Sequence, residues 1–142
     1  MPMNNPSMVK KVGAAIAGGA LGAALITSAQ LVVRTFHPLP AGTHFEDTDT
    51  IAAYIQALPP EALGGIQAAY FLACFIGGLV ASKISGGNNG PIYTTGALLL
   101  ATSTLNQMTI PHPTWFNATT PFMFIAATAL TIHLKNRRRA SQ

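Results

Sequence analysis

At 142 residues and 14.8 kDa the chain has room for one domain. Charged residues make up 8% of it and hydrophobic residues 49%, against roughly 25% charged in soluble domains, which argues against a soluble globular class and, through the apolar content, against intrinsic disorder. Cys74 is the single cysteine, so no disulfide framework is possible and an integral membrane protein is the class that remains.

Four apolar segments, at 12–33, 62–82, 91–110 and 115–134, contain no Asp, Glu, Lys or Arg. Each is 20–22 residues long, about 30 Å as a helix, the hydrocarbon thickness of a bilayer. A backbone in lipid must satisfy its own hydrogen bonds, and none of the segments alternates as a barrel strand does, so helices are expected. The expected fold is all-α: a four-transmembrane-helix bundle forming one integral membrane domain over 1–142, with a short amphipathic helix in the outer loop 34–61.

Lys10 and Lys11 precede the first span, Lys83 follows the second, and Lys135, Arg137, Arg138 and Arg139 follow the fourth. With four spans these seven of the eight basic residues share one side, which the positive-inside rule assigns to the cytoplasm together with both termini. A secretory leader ending near Thr27-Ser28-Ala29 is the rival reading of the first segment. The apolar run continues through Val33, which favours a span.

Residues 1–9 read as a flexible lead. In the first span Gly18 and Gly22 form a GxxxG pair, which lets helix backbones approach closely in lipid. In the outer loop, Asp47 or Thr48 can cap a short helix whose Ile51, Tyr54, Ile55 and Leu58 recur at helical spacing, and Pro59-Pro60 ends it. Such a helix is expected to lie on the membrane surface or across the end of the bundle. The second span carries small residues at every fourth position, Gly65, Ala69, Ala73, Gly77 and Ala81, read as a helix-packing ridge. Gly86-Gly87-Asn88-Asn89-Gly90 is a tight turn without the Lys-Ser/Thr of a phosphate loop, and Pro91 suits the first position of the third span. Pro121 either kinks the fourth span or marks its start with Thr120 as cap, and Trp115 and Phe116 suit an interfacial belt.

No carboxylate lies within a span, which removes the usual mark of ion-coupled transport. Gln30, Gln67, Asn106, Gln107 and Thr120 fall at about the same depth, within roughly 8 Å of the outer edge. They are candidates for a shallow polar pocket, with interhelical hydrogen bonding as the simpler reading, and Gln67 and Asn106 are expected to meet. His37, His44 and His112 belong to the outer face, but their spacing with Glu46, Asp47 and Asp49 matches no metal-ligand pattern, so neither metal nor cofactor is expected. Cys74 lies mid-span and no serine has a placed base, so nucleophilic catalysis lacks support and no enzyme is expected. The basic tail reads as a juxtamembrane cluster touching anionic lipid, not as a nucleic-acid site.

Three stretches carry a family likeness: Pro38 to Asp47 with Ile51 to Pro59, Phe75 to Lys83, and Asn106 to Phe116. Across roughly 10–135 the chain resembles small four-helix bacterial inner-membrane proteins of uncharacterised activity. The likeness implies the topology and a bacterial inner membrane, and it transfers no activity, cofactor or catalytic residue. The expected function is that of a non-catalytic accessory or interaction subunit, with membrane lipids and either a protein partner or a second copy as its partners. The alternative is a small transporter or channel, oligomeric around the outer polar pocket. A membrane enzyme or redox subunit using the outer histidines is a third, weaker class.

Overall fold

A computed structural model describes residues 7–44 and 46–141. The lead expected over 1–9 lies outside them through residue 6, as does Phe45 of the first family stretch. Five helices and no strands form the described chain: α1 (Met8–Phe36), α2 (Thr48–Ala57), α3 (Pro60–Ile84), α4 (Gly90–Thr109) and α5 (Thr114–Ala140).

Local chemistry sets each boundary. Ser7 caps α1, its hydroxyl accepting from the Lys10 amide at 3.3 Å, so the helix starts four residues before the apolar run. Asp47 caps α2 by accepting from the Thr50 amide at 3.1 Å. Pro60 opens α3 at its first turn, where a missing N–H costs nothing. The end of α3 closes through Gly86 and Gly87, both at positive φ, with the Gly87 amide donating to the Ser82 carbonyl at 2.7 Å. Asn88 accepts from the Gly90 amide at 2.8 Å and Pro91 leads into α4. Pro121 does not start the last helix: α5 begins at Thr114 and runs through it.

Two of the helices, α1 and α3, are long and apolar enough to cross a membrane, rather than the four expected. In α4 the residues Thr94, Thr95, Thr102, Ser103, Thr104, Asn106, Gln107 and Thr109 dilute the apolar stretch, and in α5 five threonines, Asn117 and the basic end do so.

α3 packs against α1, α4 and α5, and α4 also packs against α1 and α5, which leaves α1 and α5 at opposite corners of a four-helix bundle. Backbones touch where the small residues meet. A Cβ on Gly18 would lie 2.5 Å from the Gly77 carbonyl oxygen, one on Gly77 would lie 2.5 Å from that of Gly18, and one on Gly22 would lie 3.2 Å from that of Ala73. Ala73 and Ala81 are buried in the same seam. Gly65 is a correction to the expected ridge: it is exposed, a Cβ there meets nothing within 4 Å, and Ala69 is half-buried. A four-residue repeat drifts about 40° per step around a helix of 3.6 residues per turn, so the twelve residues from Gly77 to Gly65 rotate the ridge by roughly 120°, out of the seam.

Tyr70, Phe116 and Phe124 are the large buried aromatics, with the Tyr70 ring stacked on Phe124 at 5.4 Å and edge-on to Phe116 at 5.9 Å. Phe116 therefore belongs to the core and not to an interfacial belt, whereas Trp115 is exposed.

Candidate functional site

α2 lies across one end of the bundle as an amphipathic lid. Ile51 and Leu58 are buried beneath it, and the Tyr54 hydroxyl donates to the His37 carbonyl at the end of α1. Burial raises the Tyr54 pKa and nearby Arg34 lowers it in part, so the phenol is neutral at physiological pH. Under the lid lies a chamber of about 90 Å³, with Gln30, Arg34, Tyr54, Tyr70, Asn106 and His112 in its polar wall. Ser103 and Gln30 lie near the Tyr70 hydroxyl.

The five polar-pocket residues divide into two groups instead of gathering in one place. Gln67, only 4% exposed, donates from Nε2 to the Phe116 carbonyl at 2.9 Å and to Thr120 Oγ1 at 3.0 Å. Gln107 Nε2 donates to the same hydroxyl at 2.8 Å, and Thr120 Oγ1 in turn donates to the Phe116 carbonyl at 2.8 Å. One saturated hydroxyl thus joins α3, α4 and α5. Gln30 and Asn106 sit elsewhere, on the chamber wall. The expected meeting of Gln67 with Asn106 is replaced by the Thr120 junction, because Gln67 faces α5. Gln67 Oε1 and Asn117 Oδ1 are buried without a hydrogen-bond partner among the described residues, and such orphaned acceptors cost about 1–3 kcal/mol each.

A second space adjoins the chamber. The cleft between α1 and α4 encloses about 520 Å³, and Gln30, Tyr70 and Asn106 line both it and the chamber. Its α1 wall is made of small residues, Gly19, Ala20 and Ala23, and its α4 wall includes Leu98 and Thr102. Thr102 and Thr109 satisfy their hydroxyls on the carbonyls four residues back, at 2.8 and 2.9 Å, and Thr95 is buried against α1.

The three outer histidines do not converge. His37 is the C-cap of α1, His44 is exposed in the loop, and His112 is stacked on Phe116 at 5.2 Å. Among the described residues no group of three His, Cys, Asp or Glu is placed to hold a metal. His112 Nδ1 lies 2.6 Å from the Ile110 carbonyl, so that nitrogen carries the proton. Burial lowers its pKa, which leaves the ring neutral and Nε2 as an acceptor. Cys74 is buried, its sulfur 3.6 Å from the Phe124 carbonyl and 3.4 Å from the Thr128 hydroxyl, with no adjacent base.

At the opposite end, two residues of the basic tail are committed to the α3–α4 turn. Lys135 Nζ donates to the Gly87 carbonyl at 3.0 Å and to Asn89 Oδ1, and Arg139 Nη2 donates to the Gly86 carbonyl at 3.0 Å. Burial lowers the Lys135 pKa, with a further contribution from the Arg139 charge.

Sequence reasoning passed over Arg34, Tyr54 and Tyr70 as wall residues. Tyr70 had a signal: it stands three residues after Gln67, and so near it on the helix surface. Comparison with family models, with curated proteins and with solved structures finds no match to this chain. The functional reading therefore rests on the geometry alone. That geometry offers hydrogen-bond donors around a small chamber and an apolar cleft leading from it, and among the described residues it places no nucleophile beside a base.

Proposed function

We propose that the chain is a four-span bacterial inner-membrane protein with cytoplasmic termini and α2 on the outer face, acting as a non-catalytic accessory or interaction subunit. One observation carries the four-span reading: α4 and α5 lie alongside α3 over most of its length. Gln67 meets Thr120, Cys74 meets Phe124, and a Cβ on Gly78 would touch both Thr131 and Ile92. A bilayer that surrounds α1 and α3 therefore surrounds their neighbours too. The side-chain distribution supports the same reading. Leu98, Leu105 and Met108 of α4 and Phe122, Ile125 and Leu130 of α5 are exposed, while Thr95, Ser103, Thr120 and Thr131 are buried. In water that arrangement is unfavourable, whereas in lipid the apolar exterior is solvated and the interior hydroxyls pair between helices.

The orientation rests on the seven basic residues that share the end opposite α2. The accessory role rests on the absence of placed catalytic groups among the described residues and on the large share of surface open to lipid or to another protein. The chamber under α2 favours a second reading, a small carrier or channel. Purification from native membranes in mild detergent separates them: larger subunits co-eluting with the chain support the accessory role, and a discrete homo-oligomer alone supports the carrier.

A further inference from the structure

We propose that the hollow between α3 and α5, at the end of the bundle opposite α2, holds one anionic phospholipid, its phosphodiester between Lys83 and Arg138 and an acyl chain along the α3–α5 face. The proposal rests on the membrane-spanning reading above, and it replaces a general attraction of the tail for acidic lipid with one defined site. The hollow encloses about 340 Å³, and basic and apolar side chains line it together: Lys83 and Arg138 with Phe75, Leu79 and Leu134. A charged head and a hydrocarbon chain are both matched within one space.

The free charges select the head. Lys135 and Arg139 also line the hollow, but their donors already serve the turn, at the carbonyls of Gly87 and Gly86 and at Asn89 Oδ1. They fix the wall. The side chains of Lys83 and Arg138 have no hydrogen bond or ion pair among the described residues, and both are exposed. No acidic side chain is at hand to neutralise them: Glu46, Asp47, Asp49 and Glu61, the four in the chain, all belong to the α2 end. A guanidinium and an ammonium on two helices suit the two free oxygens of a phosphodiester. Ser82, only 4% exposed, lines the same hollow and can add a neutral donor.

The apolar wall selects a lipid over a free phosphate. From Lys83 the α3 side of the groove continues through Leu79 and Phe75 toward the α2 end. Phe75 stacks on Phe71 at 6.4 Å, and Phe71 lines the next hollow along the same α3–α5 face, with Met123 of α5 opposite. The twelve residues from Lys83 to Phe71 span about 18 Å of helix, slightly more than the roughly 15 Å of one leaflet of hydrocarbon. A chain whose head sits at Lys83 therefore has an apolar track as long as its leaflet is deep.

The test uses the full chain purified in dodecyl maltoside, dioleoylphosphatidylglycerol as the probe, and native mass spectrometry to count bound lipids. A single saturable adduct is expected, at concentrations about tenfold lower than for dioleoylphosphatidylcholine, which has the same chains and no net charge. Lys83→Gln and Arg138→Gln should each weaken it about fivefold, the share of one basic residue, and Lys83→Arg should bind as the parent does. Arg137→Gln removes the same charge from the same tail at a residue outside the hollow, and should change binding less than about twofold. Dihexanoylphosphatidylglycerol, with the same head and short chains, should bind about tenfold more weakly, and inorganic phosphate in large excess should not displace the probe. Equal losses at Lys83, Arg137 and Arg138, equal binding of the two dioleoyl lipids, or uptake without saturation overturns the proposal. Equal binding of the short-chain lipid, or displacement by phosphate, assigns the charges to a free phosphate and overturns it as well. Resistance of the same variants to alkaline extraction from membranes is scored in parallel. A chain that stays in the membrane without preferring the anionic lipid overturns this inference alone, and a chain released from it overturns the spanning reading and this inference with it.

Discussion

Adding one methyl group at Gly77 and one at Gly65 should shift stability in opposite directions. At Gly77 the new Cβ falls 2.5 Å from the Gly18 carbonyl oxygen and 3.3 Å from its carbon. Ordinary contact begins near 3.4 Å, so α1 and α3 must part locally by about 1 Å, enough to forfeit a quarter to a half of each dispersion contact along the seam. Overpacking of this kind costs about 1–3 kcal/mol. At Gly65 the Cβ meets nothing within 4 Å. Only the helix propensity changes there, and Ala exceeds Gly by about 1 kcal/mol in water. Gly77→Ala should therefore lose about 1–3 kcal/mol and Gly65→Ala should gain up to about 1 kcal/mol. Reversible unfolding in mixed micelles, followed by far-ultraviolet circular dichroism as the fraction of denaturing detergent rises, measures both. A neutral Gly77→Ala, or a Gly65→Ala that is equally damaging, would refute the assignment of the seam.

Three further outcomes follow from the same geometry. Thr120→Val removes the shared acceptor of Gln67 and Gln107, and a double-mutant cycle with Gln67→Leu should return a coupling of about 0.6–1.7 kcal/mol, the range for interhelical hydrogen bonds in lipid; zero coupling would mean the junction contributes nothing. Gly87→Ala places a Cβ at φ +81° and against the Arg139 guanidinium, and should destabilise by about 1–2 kcal/mol from backbone strain alone, read in the same unfolding assay; an unchanged midpoint counts against the turn. The Asp47 cap should make α2 pH-dependent: its hydrogen bonds from the Thr50 hydroxyl and amide hold its pKa below the ordinary carboxylate value, so the stabilisation is present above the unfolded pKa and is lost as pH falls through the folded one. Hydrogen exchange at the Thr50 amide should accelerate over that window, after allowance for intrinsic rates, and Asp47→Asn should abolish the dependence.

How much of this was legible in the sequence varies from element to element. α2 was readable because its cap residue and its apolar spacing agree, and Ile51 and Leu58 are buried as that spacing requires. That Gly18, Gly22, Ala73 and Gly77 pack closely was readable because only small residues allow such an approach, whereas the partner of the α3 ridge was not. Gly65 was misplaced because identity at every fourth position looks like a face, while the helix turns away beneath it. The polar residues were grouped by depth, and depth leaves the angle around the helix undetermined. That angle separates Gln67, facing Thr120, from Asn106, facing the chamber. The tail gave its charge to sequence reading and withheld its partners, since the long side chains of Lys135 and Arg139 reach back 46 to 53 residues to the α3–α4 turn.

Side-specific labelling of single cysteines in intact cells, in a Cys74→Ala background, decides between four spans and two. Thr43→Cys in the loop before α2 and Thr114→Cys at the start of α5 should both react with an impermeant maleimide from outside, and Asn88→Cys and Ser141→Cys should react only after the cells are opened. A chain spanning twice, through α1 and α3 alone, would leave Thr114 on the same side as Asn88 and Ser141. Labelling of Thr114→Cys only after opening, alongside external labelling of Thr43→Cys, would contradict the four-span topology.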